Sequence, residues 1–268
     1  MAIKKAIVLS DLHAPFHDVE SLASIRKFLK DFQPDYLVIN GDVFDFYGIS
    51  SFGKNPLRTQ GGLQRELDIG FIMLQWLLEP LENTKVHFVE GNHEERWNRF
   101  LLSDQNLFTL RALNLEENLR VKELGIKYHK ASLVLHNLLI KHGTFCNIHT
   151  AWKEITEEGS SGTSGHIHRV QLVGRTYRDR QNIWCSTGHL SDESQMDYTQ
   201  PGKKATNHQQ SFNIYFFDTN RDIIQPIPII IVEHMFIYEG KLYRPETRHL
   251  KDYEVAFDSL PDLEEYYQ

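Results

Sequence analysis

Residues 3–13 read IKKAIVLSDLH, an apolar run that stops at a serine, an aspartate and a histidine. Ala6 to Leu9 are four apolar residues in a row with no polar face, so Ile3 to Leu9 reads as a strand buried on both sides. Next, Val19 to Phe32 puts Leu22, Ile25, Leu29 and Phe32 on one helical face, with Asp18 placed to cap it. Tyr36 to Asn40 is a second strand ending at Gly41, and a polar loop from Tyr47 to Gln60 leads to a long helix. Its apolar stripe is Leu63, Leu67, Phe71, Leu74, Leu78 and Leu81, with Pro80 near its end. Lys85 to Val89 is a third strand, and helical segments follow to about Leu119. The βαβαβα order predicts an α/β fold with a mostly parallel sheet covered on both faces and functional residues at the strands' carboxyl ends.

After Ile126 the pattern shortens and becomes α+β in character. Leu133 to Leu135 and Leu138 to Lys141 flank His136 and Asn137 as a hairpin, Asn147 to Glu158 reads as a helix, and Gly159 to Gly162 as a flexible loop. Val170 to Thr176, Ile183 to Ser186 and Phe212 to Asp218 read as strands of a second, more antiparallel sheet packed on the first. The run Ile227 to Tyr238, behind Pro226 and Pro228, reads as an extended arm that turns near Glu239 and Gly240 into Lys241 to Arg244, and its prolines suit an edge strand. It is either an arm for homo-oligomer formation or substrate docking through residues 226–244, or extra strands closing the sheet. The chain thus divides into residues 1–225 and a C-terminal arm with an acidic tail, 226–268, packed on the same domain.

At 268 residues the chain can bury roughly 70–75% of its unfolded surface, so no metal is needed merely to hold it together. The 41% hydrophobic and 24% charged fractions exclude disorder, collagen-like repeats and coiled coil as the main architecture. No apolar stretch approaches the ~20 residues of a membrane helix, and the opening MAIKKAIVLSD reads as a strand, not a signal peptide. Cys146 and Cys185 are too few for a disulfide framework; both read as buried small residues, and a cytoplasmic location is expected. With 29 basic against 36 acidic residues, no global basic field attracts a long duplex.

Five polar clusters follow apolar runs: Ser10-Asp11-Leu12-His13, Gly41-Asp42-Val43-Phe44-Asp45, Gly91-Asn92-His93-Glu94, His142-Gly143 and Gly165-His166-Ile167-His168. Any one of them is explained by a cap, a turn or a hydrogen-bonded histidine. Together, at the edge of one strand-helix sheet, they collect carboxylates, an amide oxygen and imidazoles without thiolate. That donor set suits manganese, iron or zinc better than calcium or a thiolate-held zinc. Neighbouring Gly41, Gly91, Gly143 and Gly165 are expected to let the backbone turn sharply.

The ordered pattern D-x-H, G-D-x-x-D, G-N-H-[ED], H, G-H-x-H resembles the calcineurin-like metallophosphoesterase superfamily over about residues 3–190. The resemblance implies a four-layer α/β/β/α sandwich of two mixed sheets flanked by helices, with the active site at strand carboxyl ends. It also implies two divalent ions, with manganese placed ahead of iron, zinc and nickel: Asp11, His13 and His168 on one, Asn92, His142 and His166 on the other, and Asp42 bridging. His93 would protonate the leaving oxygen, and Asp45 would orient His93. Such a pair of ions lowers the pKa of a shared water and stabilises in-line displacement at phosphorus.

The serine/threonine phosphatases of this superfamily carry Asp-Arg-Gly where this chain has Asp45-Phe46-Tyr47. The chain is more similar to the nuclease and phosphodiesterase side, and to metallophosphoesterases of bacteriophages and bacteria. A phosphodiesterase acting on a nucleotide or single-stranded nucleic acid through a metal-bound hydroxide is therefore expected. The alternatives are a phosphomonoesterase, such as a protein phosphatase, and a non-catalytic metal-binding adaptor. Arg96, Arg99 and Arg169 could contact phosphate oxygens. Arg96 and Arg99, three apart among Glu94 and Glu95, could equally form surface ion pairs. Tyr47, Phe52, Trp97 and His189 could border the pocket or belong to the core.

Overall fold

The computed structural model describes residues 3–51, 61–195 and 206–267, and opens with strand β1 (Ile3–Leu9). Its alternation feeds two cores: Ile7 and Leu9 face helices, while Ala6 and Val8 face a second sheet. Helix α1 (Val19–Phe32) starts where Asp18 accepts the Ser21 N–H at 3.0 Å. β2 (Tyr36–Asn40) lies parallel to β1. α2 (Gly62–Leu78) stops two residues before Pro80, which lacks the N–H another turn would need. β3 (Lys85–Val89) continues the parallel sheet. After it come α3 (Asn92–Leu101) and the short α4 (Gln105–Phe108) and α5 (Leu115–Asn118). A strand the sequence reading lacks, β4 (Lys127–His129), then pairs parallel with β3; three residues are too few to show a period.

β5 (Ser132–Leu135) and β6 (Leu138–Lys141) form the expected hairpin, and α6 (Thr150–Glu158) starts three residues later than expected. The expected loop at 159–162 runs into a further short strand, β7 (Gly162–Ser164), parallel to β6. With β8 (Gln171–Thr176) and β9 (Gln181–Ser186) these make a five-stranded sheet in the order β5-β6-β7-β9-β8.

β10 (Ser211–Asp218) corrects the sequence reading, which placed it in the second sheet. It pairs antiparallel with β1, from Ile3 opposite Asp218 to Val8 opposite Asn213. Phe212 and Ile214 enter the helix-side core while Tyr215 and Phe217 enter the core between the sheets, so both faces are buried as an interior strand requires. β11 (Ile223–Ile230) pairs with β10 along its whole length, giving a six-stranded sheet in the order β11-β10-β1-β2-β3-β4. Ile231 donates its N–H to the Gln210 carbonyl at 2.8 Å, so odd-numbered positions here face β10. Pro226 and Pro228 hold even positions, where the missing N–H would face solvent, and they blunt the edge against another strand.

β12 (Phe236–Tyr238) and β13 (Lys241–Tyr243) turn at Glu239 and Gly240, as expected. They are followed by α7 (Thr247–Phe257), which has no counterpart in the sequence reading because its helical stripe buries little beyond Tyr253. The tail is docked, with Tyr266 donating to Asp68 at 3.1 Å. α1, α2 and α7 cover the outer face of the first sheet, α6 covers the second through Ala151, Ile155 and Trp184, and the inner faces meet at Val8, Val38, Tyr215, Leu138 and Ile140. The architecture is the four-layer α/β/β/α sandwich. Among the described residues no helix is long and apolar enough to cross a membrane.

Candidate metal centre

The five polar clusters follow β1, β2, β3, β6 and β7 and meet at one edge. Asp11, His13, Asp42, His166 and His168 all adopt left-handed backbone, with φ between 51° and 71°. Each such residue costs on the order of 1–3 kcal/mol, and aspartate and histidine tolerate the region better than most. Backbone bonds hold the bends: Asp11 N–H to the Gly41 carbonyl at 3.1 Å, His13 N–H to Asp42 at 2.9 Å and Gly165 N–H to His142 at 2.7 Å. Gly91 and Gly165 serve close approach, not the sharp turning expected of them. A Cβ would stand 2.3 Å from the Asp42 carboxylate at the first and 1.8 Å from the Ser10 hydroxyl at the second.

Asp11 Oδ2 accepts from the Ser10 hydroxyl at 2.6 Å and from the His166 N–H at 3.0 Å. Its other oxygen lies 3.3 Å from His168 Nε2 and 3.9 Å from His13 Nε2, and those two nitrogens are 3.2 Å apart. Burial pushes the Asp11 carboxyl up, but His142 and His168 hold it well below the usual carboxylate range. Asp11, His13 and His168 are all buried, and their donor atoms converge closely enough to share one ion.

Asp42, His142 and His166 form the second cluster. His142 donates Nδ1–H to the Asn40 carbonyl at 2.8 Å, which turns Nε2 toward Asp42, 3.0 Å from its Oδ2. That contact lacks hydrogen-bond alignment, so His142 Nε2 is a buried nitrogen with no hydrogen-bond partner among the described residues. Burial lowers the His142 pKa, but the Asp42 and Asp11 carboxylates override it and lift it to about 10. The field that favours a proton there favours a cation equally. Asn92 Oδ1 is likewise buried without a hydrogen-bond partner among the described residues, a loss of about 1–3 kcal/mol that a metal ion would make good. The donor set and these two orphaned atoms fit two divalent ions. A cleft of about 280 Å³ beside this cluster is bordered by Glu90, Asn92, Lys130, Lys141, His142 and Thr144.

Asp45 stands between two imidazoles. Its Oδ1 is 3.0 Å from His93 Nδ1 and 3.4 Å from His13 Nδ1, and its carbonyl lies 2.8 Å from His93 Nδ1. Two acceptors at His93 Nδ1 place the proton there, and Arg96 donates to Nε2 at 2.7 Å and to the Asp45 carbonyl at 2.9 Å. Burial pushes Asp45 up, yet its contacts with His13 and His93 hold it well below the usual carboxylate range.

The remaining expected residues scatter. Arg99 is exposed and paired with Glu95 at 2.6 Å, and is not brought to the centre. Arg169 is half-buried at the rim, reaching the Ile167 and Cys146 carbonyls. Trp97 is in the core against Phe46, His189 lies beside His168, Tyr47 is half-buried in a short turn, and Phe52 lies outside the described residues. Cys146, expected to be buried, is exposed with Sγ 2.9 Å from His166 Nε2; Cys185 is buried as expected. Sequence reasoning assigned Glu94 no task of its own. Its carboxylate accepts from the backbone N–H groups of Asp42, Val43, Phe44 and Gly91 at 2.8–3.1 Å, clamping two of the bends together. Burial and the nearby Asp42 push it up to about 7.

A family model described as calcineurin-like phosphoesterase matches residues 4–259. The gene 54 protein of Mycobacterium phage D29 is 25% identical over 272 residues, covering 90% of this chain and 98% of that protein. The gene 54 protein of Mycobacterium phage L5 is 24% identical over 261 residues, with the same coverage. Among solved structures, wild-type Vps29 from Entamoeba histolytica in complex with Zn2+ superposes with a TM-score of 0.41 at 11% identity, covering 90% of this chain and 96% of that one. Chaetomium thermophilum Vps29 gives 0.43 at 9% identity, covering 90% and 94%.

Proposed function

The chain belongs to the calcineurin-like phosphoesterase family, and from that premise we propose that it hydrolyses phosphodiester bonds of a nucleotide or single-stranded nucleic acid with two divalent metal ions. Asp11, His13 and His168 would hold one ion and Asn92, His142 and His166 the other, with Asp42 the carboxylate they would share. Carboxylates, an amide oxygen and imidazoles without thiolate admit manganese, iron, zinc or nickel, and manganese is the ion proposed here. Bound there, the ions supply charge to clamp the phosphoryl oxygens and to activate water.

The chain's own groups do the rest. Asp45 anchors His93 through Nδ1, which leaves Nε2 to carry the proton given to the leaving oxygen. Arg96, already against His93 Nε2, turns its guanidinium to the phosphoryl oxygens, and Arg169 stands at the rim. The cleft beside Asn92 and His142 receives the remainder of the substrate. Residues 226–268 are part of the same catalytic domain, and the exposed Cys146 thiol suits a reducing, cytoplasmic setting.

The observation that supports the two-metal reading is the convergence of two His/Asp clusters with buried nitrogen and oxygen atoms that have no hydrogen-bond partner among the described residues. The diester preference is supported at Phe46, which is fully buried between Phe44 and Trp97, so the chain offers no phosphate-holding side chain at that position. Manganese-reconstituted protein is expected to hydrolyse an aryl phosphodiester faster than the matched monoester, and His93→Ala to lower that rate roughly 10²-fold or more. Equal rates for wild type and His93→Ala would reject the mechanism. Turnover of the monoester alone would establish the second reading, a phosphomonoesterase in which Arg96 holds the phosphate.

A further inference from the structure

The chain carries a net charge of −7, and on its other faces Lys4 pairs with Asp35, Arg120 with Glu123, Lys122 with Glu117 and Lys241 with Asp31, each at 2.6 Å. β8 and α6 break that pattern. Lys153, Arg169, Arg175 and Arg178 have no ion-pair partner among the described residues. Lys153 stands 4.1 Å from the Phe145 ring centroid, Arg169 reaches only carbonyls, and Arg175 donates to the Thr156 hydroxyl at 2.5 Å. The carboxylates beside them are occupied: Glu154 and Glu158 pair with Lys141 at 2.7 and 2.6 Å and Asp179 with Arg180 at 3.1 Å, which leaves Glu157 as the remaining carboxylate of α6. Gln171 ties the two elements together where β8 begins, accepting from the Ala151 N–H at 2.9 Å and donating to the Ile148 carbonyl at 2.8 Å. We propose that this stripe, from Arg169 along β8 to Arg178 with the Trp152 ring beside it, is a track for single-stranded nucleic acid leading to the metal centre.

Position, length and chemistry favour a nucleic-acid strand over a lone nucleotide or an acidic peptide. Arg169 follows His168 directly, so the stripe starts at the rim of the centre. From there the six residues of β8 rise about 3.3 Å each, about 20 Å in all, the span of about six stacked nucleotides at about 3.4 Å. A single nucleotide leaves most of that charge without a phosphate. β8 is also the last strand in its sheet, so its outer side is open to a ligand among the described residues. Trp152 is 47% exposed, and an indole face stacks on any base, which an acidic peptide does not offer. Arg175 and Arg180 each lie 4.9 Å from the Tyr177 ring centroid, which keeps two guanidiniums close together for phosphate oxygens. A local stripe on an acidic chain suits one strand, whereas a long duplex needs a wider basic field.

The track rests on the phosphodiesterase reading of the neighbouring centre, and binding measured without metal separates the two. The full chain in chelator is titrated into fluorescein-labelled oligothymidylates of two, six and twelve nucleotides, read by fluorescence anisotropy over a series of salt concentrations. Affinity is expected to rise at least tenfold from the dimer to the hexamer and to fall with salt. Lys153→Gln combined with Arg178→Gln, both exposed positions, should weaken hexamer binding about tenfold. The same pair should lower the slope of log affinity against log salt by about 1.4, about 0.7 for each lost phosphate contact. Trp152→Ala should weaken hexamer binding about fivefold or more at an unchanged salt slope, since stacking releases no counterions. Lys241→Gln, on β13, should bind as wild type does. Hexamer binding that no track substitution weakens, an equal loss in Lys241→Gln, or polyglutamate bound as tightly as the hexamer would overturn the proposal. Length-dependent binding with these losses, in a protein that hydrolyses no phosphodiester once loaded with manganese, would support the track and fail the hydrolysis reading. Aryl diester hydrolysis by a protein that does not bind the hexamer would do the reverse.

Discussion

The edge where β1, β2, β3, β6 and β7 end and the flank where β12, β13 and α7 wrap α1 are built on opposite terms. At the edge the buried groups are Asp11, Asp42, Glu94 and His142, the first two on left-handed backbone. On the flank they are rings: Phe28 meets Phe212, Phe236, Tyr238 and Tyr243 at centroid distances of 5.1–5.6 Å. Stacked and edge-on rings add about 0.5–1.5 kcal/mol per pair to their burial, whereas like-charged carboxylates in low dielectric repel. The edge therefore costs stability that the flank and the two cores supply, and substitutions in the two regions should separate activity from stability.

The sharpest break of that comparison is Asp42→Asn. Asn keeps an oxygen for the His93 N–H, which Asp42 accepts at 2.9 Å, but cannot serve two cations. Phosphoester hydrolysis is expected to fall roughly 10⁴-fold, about 5 kcal/mol. The melting temperature in chelator should stay within about 2 °C of wild type or rise. A large drop in melting temperature would show that the edge contributes stability after all. Phe236→Ala is the mirror experiment. It removes a ring that is 4% exposed and should lower unfolding free energy by about 3–5 kcal/mol in urea titrations. Retained metal stoichiometry is expected in the same samples; loss of metal would mean the two regions are not separable.

The same contrast explains what could be read in advance. The polar clusters after β1, β2, β3 and β6 were legible because each closes an apolar strand run, so backbone pattern and polar chemistry coincide at Asp11, Asp42 and His142, whereas the strand before His166 is Gly162-Thr163-Ser164 and shows no apolar run. β10 was legible as a strand but not as a member of the first sheet, because burial on both faces does not say which neighbour it has. Glu94 was visible only as a motif letter, since the convergence of four backbone N–H groups on it is a product of the fold. Cys146 misled because a small thiol is usually buried, whereas here a loop between β6 and α6 turns it outward beside His166.

His17 joins the two regions and sharpens the comparison through pH. Its Nε2 lies 2.7 Å from the Tyr253 hydroxyl of α7, and burial pulls its pKa from 6.5 down to about 4 against the opposing pull of Asp18. The folded chain therefore resists protonation that the unfolded chain accepts. Stability from this group is present above pH 6.5 and is lost as pH falls toward 4, by about 3 kcal/mol in all. His17→Gln should flatten the acid limb of unfolding free energy against pH by that amount. Parallel limbs for wild type and variant would show that α7 is not held through a neutral His17.

The smallest effect comes from two arginines of one helix. Arg96 grips at two points, His93 Nε2 and the Asp45 carbonyl, while Arg99, one turn on, is two-thirds exposed and paired with Glu95. A lysine can make only one such contact at a time, so Arg96→Lys should lower kcat about tenfold. Arg99→Lys should leave kcat unchanged, since an exposed i,i+4 pair contributes only about 0.3–0.5 kcal/mol to the helix. Both variants should melt with wild type, which separates a lost grip from a lost fold. Equal kinetic effects would place both guanidiniums at the substrate, whereas an Arg96→Lys enzyme with wild-type kcat would make the contact with His93 a resting arrangement without catalytic weight.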